Sequence, residues 1–241
     1  MTDPYYEDDS VTLYLGDCLE VLADLPAASV DVVLTDPPFF MPAVHYSSRT
    51  HWQRSWGDTS ILASFWRSVV DATTPTVKPS GHFLAFCDGN SYPVFYPEMY
   101  RKFDSVGSIV WDKGRIGMGS PWRNQHELII AARWQGSFRS ENRGCPDVVK
   151  VAPISSQKRL HPVDKPVALL AELLKPVLPE GGVVLDPFVG GGSTIIAAKQ
   201  AGARAIGIET EERYLEIVAT RLAELDAQQA FDFGSIDERT R

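Results

Sequence analysis

Short β-branched or apolar runs alternate along the chain with stretches in which apolar positions recur every three or four residues. The runs at Val11 to Leu15, Val30 to Thr35, His82 to Cys87, Val106 to Trp111, Glu127 to Arg133, Val183 to Pro187 and Ala205 to Glu209 predict seven strands. Helical spacing predicts helices over Cys18 to Leu25, Ser60 to Thr73, Val167 to Leu174, Ser193 to Gln200 and Glu211 to Gln228. Strands and helices in alternation predict an α/β fold, a doubly wound and mostly parallel seven-stranded sheet in which helices cross over between strands. Punctuation at Pro79-Ser80-Gly81 and Pro179-Glu180-Gly181-Gly182 separates the elements, and the chain holds no internal repeat. One domain over residues 1–228 is expected, followed by a polar, frayed tail over 229–241 in which Phe231 and Phe233 dock on the body.

At 241 residues the chain suits one domain of ordinary to large size with a substantial core. Its apolar runs are far shorter than the ~20 residues that span a bilayer, so no membrane segment is expected. Residues 1–36 carry nine acidic side chains and no Lys or Arg, the reverse of a secretory or mitochondrial leader, and a cytoplasmic location is expected. Cys18, Cys87 and Cys145 are scattered and odd in number, which supports neither a disulfide framework nor a cysteine zinc site. The net charge of −8 speaks against nucleic acid until its distribution is read: residues 101–165 carry twelve Lys or Arg against six Asp or Glu. A basic stretch is by itself a solvated face, and only chemistry beside it makes it more.

Two stretches supply that chemistry. Gly181-Gly182-Val-Val-Leu-Asp186-Pro187-Phe188-Val189-Gly190-Gly191-Gly192-Ser193-Thr194 is a strand running into a glycine loop that opens a helix, where backbone N–H groups are free and a ligand can approach closely. Ile195 stands where a dinucleotide fingerprint needs glycine, which sets a dehydrogenase aside, and no Lys follows Gly192 as a P-loop requires. Glu209 ends the next strand nineteen positions after Gly190, about the offset at which a carboxylate accepts from ribose hydroxyls. A nucleoside cofactor without a pyrophosphate fits.

The second stretch is Val32-Val33-Leu34-Thr35-Asp36-Pro37-Pro38-Phe39. Its prolines lack N–H donors and hold the backbone extended, so the strand stops with Asp36 and neighbouring carbonyls at the carboxyl end of the sheet, where open α/β sheets bind ligands. A carboxylate beside a free carbonyl is an acceptor-only pair suited to an exocyclic amino group, and Phe39 offers a flat face to a base.

These stretches together resemble the AdoMet-dependent amino-methyltransferases of DNA, which modify adenine N6 or cytosine N4. Asp36-Pro37-Pro38-Phe39 resembles the catalytic motif of that family, Asp186 to Thr194 its cofactor loop, and Glu209 its ribose ligand. His161-Pro162-Val-Asp-Lys165-Pro166 is similar to the cofactor-lining motif of one branch, and Leu13 to Cys18 is similar to the segment whose Asp, here Asp17, contacts the cofactor adenine. The order, catalytic motif first and cofactor loop last, is the circularly permuted arrangement of the β group. The resemblance implies a Rossmann-like AdoMet-dependent methyltransferase domain. It implies cofactor contacts from Asp17, Cys18, His161, Lys165, Asp186, Phe188, Gly190, Gly192, Ser193, Thr194 and Glu209. It further implies direct methyl transfer to an amino group held by Asp36 and the Pro37 carbonyl, on a base flipped out of double-stranded DNA. The Pro-Cys dipeptide of cytosine C5 enzymes is absent, and carboxylates on separate strands without a histidine at ligand spacing argue against a metal.

DNA contacts are expected from segments the sheet does not require: residues 41–57 with Arg49 and Arg54, residues 113–125 with Lys113, Arg115 and Arg123, and a short target-recognition segment, 135–160, with Arg139, Arg143, Lys158 and Arg159. So short a recognition segment implies a brief recognition sequence or a homodimer sharing recognition, and a cognate restriction nuclease is a further possible partner. His126 and Trp111 are expected to pack near the sheet. In the resembling family Asp at the position of Asp36 is commoner among adenine N6 enzymes and Ser among cytosine N4 enzymes, so adenine is favoured. Cytosine N4, RNA or small-molecule methylation, and an inert AdoMet-binding regulator remain the rivals.

Overall fold

The computed structural model describes residues 2–39, 58–117, 119–136, 144–155 and 164–237, with side chains to residue 228. Its strands are β1 (Tyr6–Glu7), β2 (Val11–Leu15), β3 (Val30–Thr35), β4 (Val77–Cys87), β5 (Ser105–Asp112), β6 (His126–Arg133), β7 (Val148–Lys150), β8 (Val183–Asp186) and β9 (Arg204–Glu209). Its helices are α1 (Cys18–Asp24), α2 (Thr59–Thr73), α3 (Tyr92–Lys102), α4 (Val167–Leu174), α5 (Ser193–Gln200) and α6 (Glu212–Asp237). The strands form one sheet in the order β1-β2-β9-β8-β3-β4-β6-β5-β7. β2 to β4 across that order are parallel, β6 runs antiparallel to both β4 and β5, and β7 pairs parallel with β5.

The seven expected strands are present, and nine rather than seven make up the sheet. The two additions are a two-residue edge strand, β1, and the three-residue β7, which draws Val148 to Lys150 of the expected recognition segment into the sheet as a partner of Val110 to Asp112. Helix α3 was not expected; of its two prolines, Pro93 lies at the helix start, where its missing N–H is not needed, and Pro97 is accommodated inside. The last helix does not end at Gln228 but continues to Asp237, through the segment expected to fray.

Strand alternation divides the interior between the two faces of the sheet. On one face Val32 and Leu34 of β3, Val184 of β8 and Leu84 and Phe86 of β4 pack under α4, α5 and α6 through Leu170, Leu173, Ile195, Val218 and Leu222. On the other, Val33, Leu185, Phe83 and Ala85 pack under α1, α2 and α3. There Trp66 is fully buried, with the Phe95 ring stacked at 4.5 Å and its indole N–H donated to the Phe95 carbonyl at 3.3 Å. Truncating such a residue to Ala costs about 3–5 kcal/mol.

The chain leaves β8 for its next neighbour on one side, β9, and β3 for its next neighbour on the other, β4. The crevice between β3 and β8 is therefore the switch point of the sheet, and its carboxyl edge is where Asp36 and Asp186 fall. The antiparallel β5–β6 hairpin turns at the same edge, because Cys87 at the end of β4 pairs with Leu128 near the start of β6.

Candidate active site

Thr35 is the last residue of β3 and Asp186 the last of β8, and the Thr35 hydroxyl donates to Asp186 Oδ1 at 2.7 Å. One hydrogen bond thus ties the two motifs, 151 positions apart, across the switch point. Asp186 also accepts from the Phe188 N–H at 3.0 Å and from the Thr194 hydroxyl. Burial still dominates and pushes its carboxyl up to about 6.

Beyond Asp186 the chain turns through Gly190 to Gly192. Gly192 takes a left-handed φ of +81° before the first residue of α5, and a Cβ there would lie 2.6 Å from Val218 Cγ2. Beneath the loop, a Cβ on Gly207 of β9 would lie 2.5 Å from Val189 Cγ2, so both glycines let the loop settle on the sheet. The Glu209 carboxylate accepts from the Gly190 N–H (2.9 Å) and from the N–H groups of Thr210 (2.8 Å) and Glu211 (3.0 Å). Arg221, from α6, donates to the Gly191 carbonyl and reaches Ser193 Oγ at 3.4 Å. Sequence reasoning missed Arg221, since nothing in α6 distinguishes it from a solvated helix charge.

Asp17 caps α1, accepting from the Leu19 N–H at 2.8 Å, and is otherwise exposed. It lies two residues past Leu15, which pairs with Glu209, so the two carboxylates stand at neighbouring strand ends. Cys18 is buried in the core beneath, with its thiol pushed up to about 12 by burial.

A cleft of about 390 Å³, counted to its open mouth, lies between the motifs, lined by Asp36, Phe86, Asp164, Lys165, Asp186, Phe188 and the glycine loop to Thr194. Asp36 has a side chain only 16% exposed. Its Oδ2 accepts from the ammonium of Lys165, while its Oδ1 is buried with no partner among the described residues. Burial pushes this carboxyl up to about 6, against the pull of Lys165. Lys165 lines the cleft as expected of it, but its ammonium is turned to Asp36 and lies 3.5 Å from Glu127 Oε2. It also sits 4.9 Å over the Phe86 ring and 5.5 Å over the Phe39 ring. Glu127 escaped the sequence reading because it lies in an apolar strand far from either motif.

Among the residues expected to meet DNA, Lys113 donates to Glu127 at 2.6 Å, and its ammonium is thereby committed to the interior of the rim. Arg115 is exposed, and Arg123 is exposed with its Nε on the Gly117 carbonyl at 2.8 Å. Arg49, Arg54, Arg139, Arg143, Lys158, Arg159 and the cofactor candidate His161 lie outside the described residues. Trp111 is buried and His126 exposed at the start of β6. No group of three or more metal-ligating side chains occurs among the described residues, and no described helix is long and apolar enough to cross a membrane.

The chain and its fold have counterparts among known proteins. The chain is 27% identical to the Type II methyltransferase M.ScaI of Streptomyces caespitosus, over 95% of this chain and 86% of that one. Its fold is similar to that of PvuII DNA methyltransferase, described as cytosine-N4-specific, with a TM-score of 0.73 at 17% identity over 91% and 89% of the two chains. It is also similar to M1.HpyAVI, solved as a complex with SAM, with a TM-score of 0.66 at 21% identity over 88% and 98%. The N6_N4_Mtase family, whose description is DNA methylase, matches residues 30–220, and the chain therefore belongs to that family of DNA methyltransferases.

Proposed function

We propose that this DNA methyltransferase transfers the methyl group of S-adenosylmethionine to the N6 amino group of adenine in double-stranded DNA, with Asp36 as the catalytic acceptor. The observation that carries the reading is Asp36 Oδ1, buried with no partner among the described residues, on a side chain that lines the same cleft as the glycine loop. An acceptor buried without a partner costs free energy unless a ligand supplies the donor, and the exocyclic amino group of a flipped base does so.

The donor set suits the cofactor. Glu209 has one oxygen with a single N–H on it, which leaves lone pairs for ribose hydroxyls, and Asp17 at the adjacent strand end retains acceptor capacity for an adenine amino group. Ser193 and Thr194 open α5 below the glycine loop, and Phe188 lines the same wall. When bound, S-adenosylmethionine supplies an electrophilic methyl group on a sulfonium. The residues of the chain do the rest by position and charge. Asp36 Oδ1, with the Pro37 carbonyl, accepts the two amino protons and draws the nitrogen lone pair out of conjugation with the ring. Transfer would break the methyl carbon–sulfur bond, whose electron pair would stay on sulfur as a neutral thioether, and the Asp36 carboxylate would stabilise the positive charge developing on the amino nitrogen and accept the proton it sheds. Phe39 and Pro38 flank the base. Removing it from the duplex costs a few kcal/mol of stacking and pairing, which contacts to its face and edge offset.

Adenine rather than cytosine rests on Asp36 itself, as in the resembling adenine enzymes, and on the greater stacking area of a purine against Phe39. DNA backbone contacts are assigned to the exposed Arg115 and Arg123 of the hairpin at the carboxyl edge, with Arg49, Arg54, Arg139, Arg143, Lys158 and Arg159 as further candidates. Asp36→Ala tests the reading: transfer to duplex DNA should vanish while calorimetric affinity for S-adenosylmethionine stays within about threefold, about 0.65 kcal/mol. Retained turnover refutes the role of Asp36.

A further inference from the structure

Four charged side chains of alternating sign run from the surface hairpin into the catalytic motif. Lys113, just past β5, donates to Glu127 of β6 at 2.6 Å. Glu127 faces Lys165, just before α4, at 3.5 Å, and Lys165 donates to Asp36 just past β3. The Lys165 side chain is 8% exposed, which for an ammonium is tolerable only with partners. Its surroundings, two carboxylates and the faces of Phe86 and Phe39, meet that need without any contribution from a cofactor. All four members come from different elements, so no neighbour in sequence imposes the arrangement.

We propose that Lys165 is a positioning residue for Asp36 rather than a ligand of the cofactor, holding the carboxylate ionised with Oδ1 turned to the target amino group, and that Glu127 sets how much of the ammonium Asp36 receives. The inference rests on the catalytic reading of Asp36. Its geometric basis is the division of labour on one carboxylate: Oδ2 is taken by the buried ammonium, and Oδ1, with no partner among the described residues, is left for substrate. A carboxyl at this depth without its cation is neutral near pH 7 and presents an O–H that cannot accept both amino protons. Of the other charged groups facing Asp36, Lys113 assists ionisation and Glu127 opposes it; Asp186, its neighbour across the switch point, is a further like charge.

Two substitutions then move the titration of Asp36 in opposite directions, which a merely structural role does not predict. Lys165→Met removes the opposing charge, so the acidic limb of the kcat profile should rise by about one pH unit or more. At pH 7 kcat should fall about twofold for a limb raised one unit from about 6 and about tenfold for one raised two units, recovering as pH is raised, with S-adenosylmethionine affinity within about threefold of wild type. Lys165→Arg should restore most of the rate at pH 7. Glu127→Gln should lower the limb, because a like charge is removed and the ammonium is left to Asp36. Carbon-13 titration of the Asp36 carboxyl, assigned by its loss in Asp36→Asn, reads the same shifts whether or not the protein turns over. Should Lys165→Met fail to fold, the downward shift in Glu127→Gln carries the test. An Asp36 titration unmoved in the folded variants overturns the inference, as does a tenfold loss of S-adenosylmethionine affinity in Lys165→Met with the limb unchanged. Absence of methyl transfer by the wild-type protein refutes instead the proposed function.

Discussion

Gly192→Ala probes the seat of the cofactor loop. The residue sits at φ +81°, and an alanine there meets the left-handed penalty of roughly 1–2 kcal/mol. Its Cβ also falls 2.6 Å from Val218 Cγ2 and 2.9 Å from Cγ1, and Val218 is fully buried on α6 with a stiff branched side chain. Forcing a methyl group into a packed site of this kind costs about 1–3 kcal/mol more. The sum, about 2–5 kcal/mol, is a large part of the ~5–15 kcal/mol that holds a domain together. Urea unfolding followed by tryptophan fluorescence measures it, at unchanged m-value. Val218→Ala removes both clashing methyls, so Gly192→Ala/Val218→Ala should be more stable than the sum of the single effects by about 1–3 kcal/mol. A Gly192→Ala protein within about 0.5 kcal/mol of wild type, the range of neutral surface substitutions, refutes the argument, and so does an additive cycle.

Glu209→Ala should weaken S-adenosylmethionine by about 1.5–3 kcal/mol, read by calorimetry on protein shown to be folded, and unchanged affinity removes its assignment to the ribose. Asp186, raised from 3.8 to about 6, stabilises the fold at low pH and loses that contribution as pH rises through 6. The stability of Asp186→Asn relative to wild type should therefore rise by up to about 3 kcal/mol between pH 4 and pH 8. Only the difference isolates this effect, since partly buried His82, lowered to about 4, acts oppositely below pH 6.5; a flat difference refutes the burial argument. If Arg115 contacts a phosphate, Arg115→Gln should make the log–log salt slope of duplex binding shallower by about 0.9, and an unaltered slope makes it a solvated charge. The pair Arg139 and Arg143 is tested in the same way.

The parallel core of the sheet was legible because most of its strands announce themselves locally, through apolar or β-branched runs, with Gly16 after β2 and Asp-Pro after β3 and at the end of β8. The exact match at β2, β3, α4 and α5 follows from that. Helix α3 was not legible, since two prolines in Tyr92 to Lys102 obscure a helix that Phe95 and Met99 secure only by packing against the sheet. Short β1 and β7 exist only through their partners. The same division holds at the site. Asp36, Asp186 and Glu209 stand at strand ends and could be named from sequence. The bond from Thr35 to Asp186, the hold of Arg221 on the glycine loop and the chain from Lys113 to Asp36 join residues distant in sequence, and only the fold reveals them.

Identity of the methylated nucleoside tests the central claim most directly. Unmethylated genomic DNA incubated with the protein and methyl-labelled S-adenosylmethionine, then digested and separated by mass spectrometry, should yield labelled N6-methyladenine, and none with Asp36→Ala. Labelled N4-methylcytosine without N6-methyladenine would contradict the adenine assignment, and no labelled nucleoside at all would contradict the proposed activity.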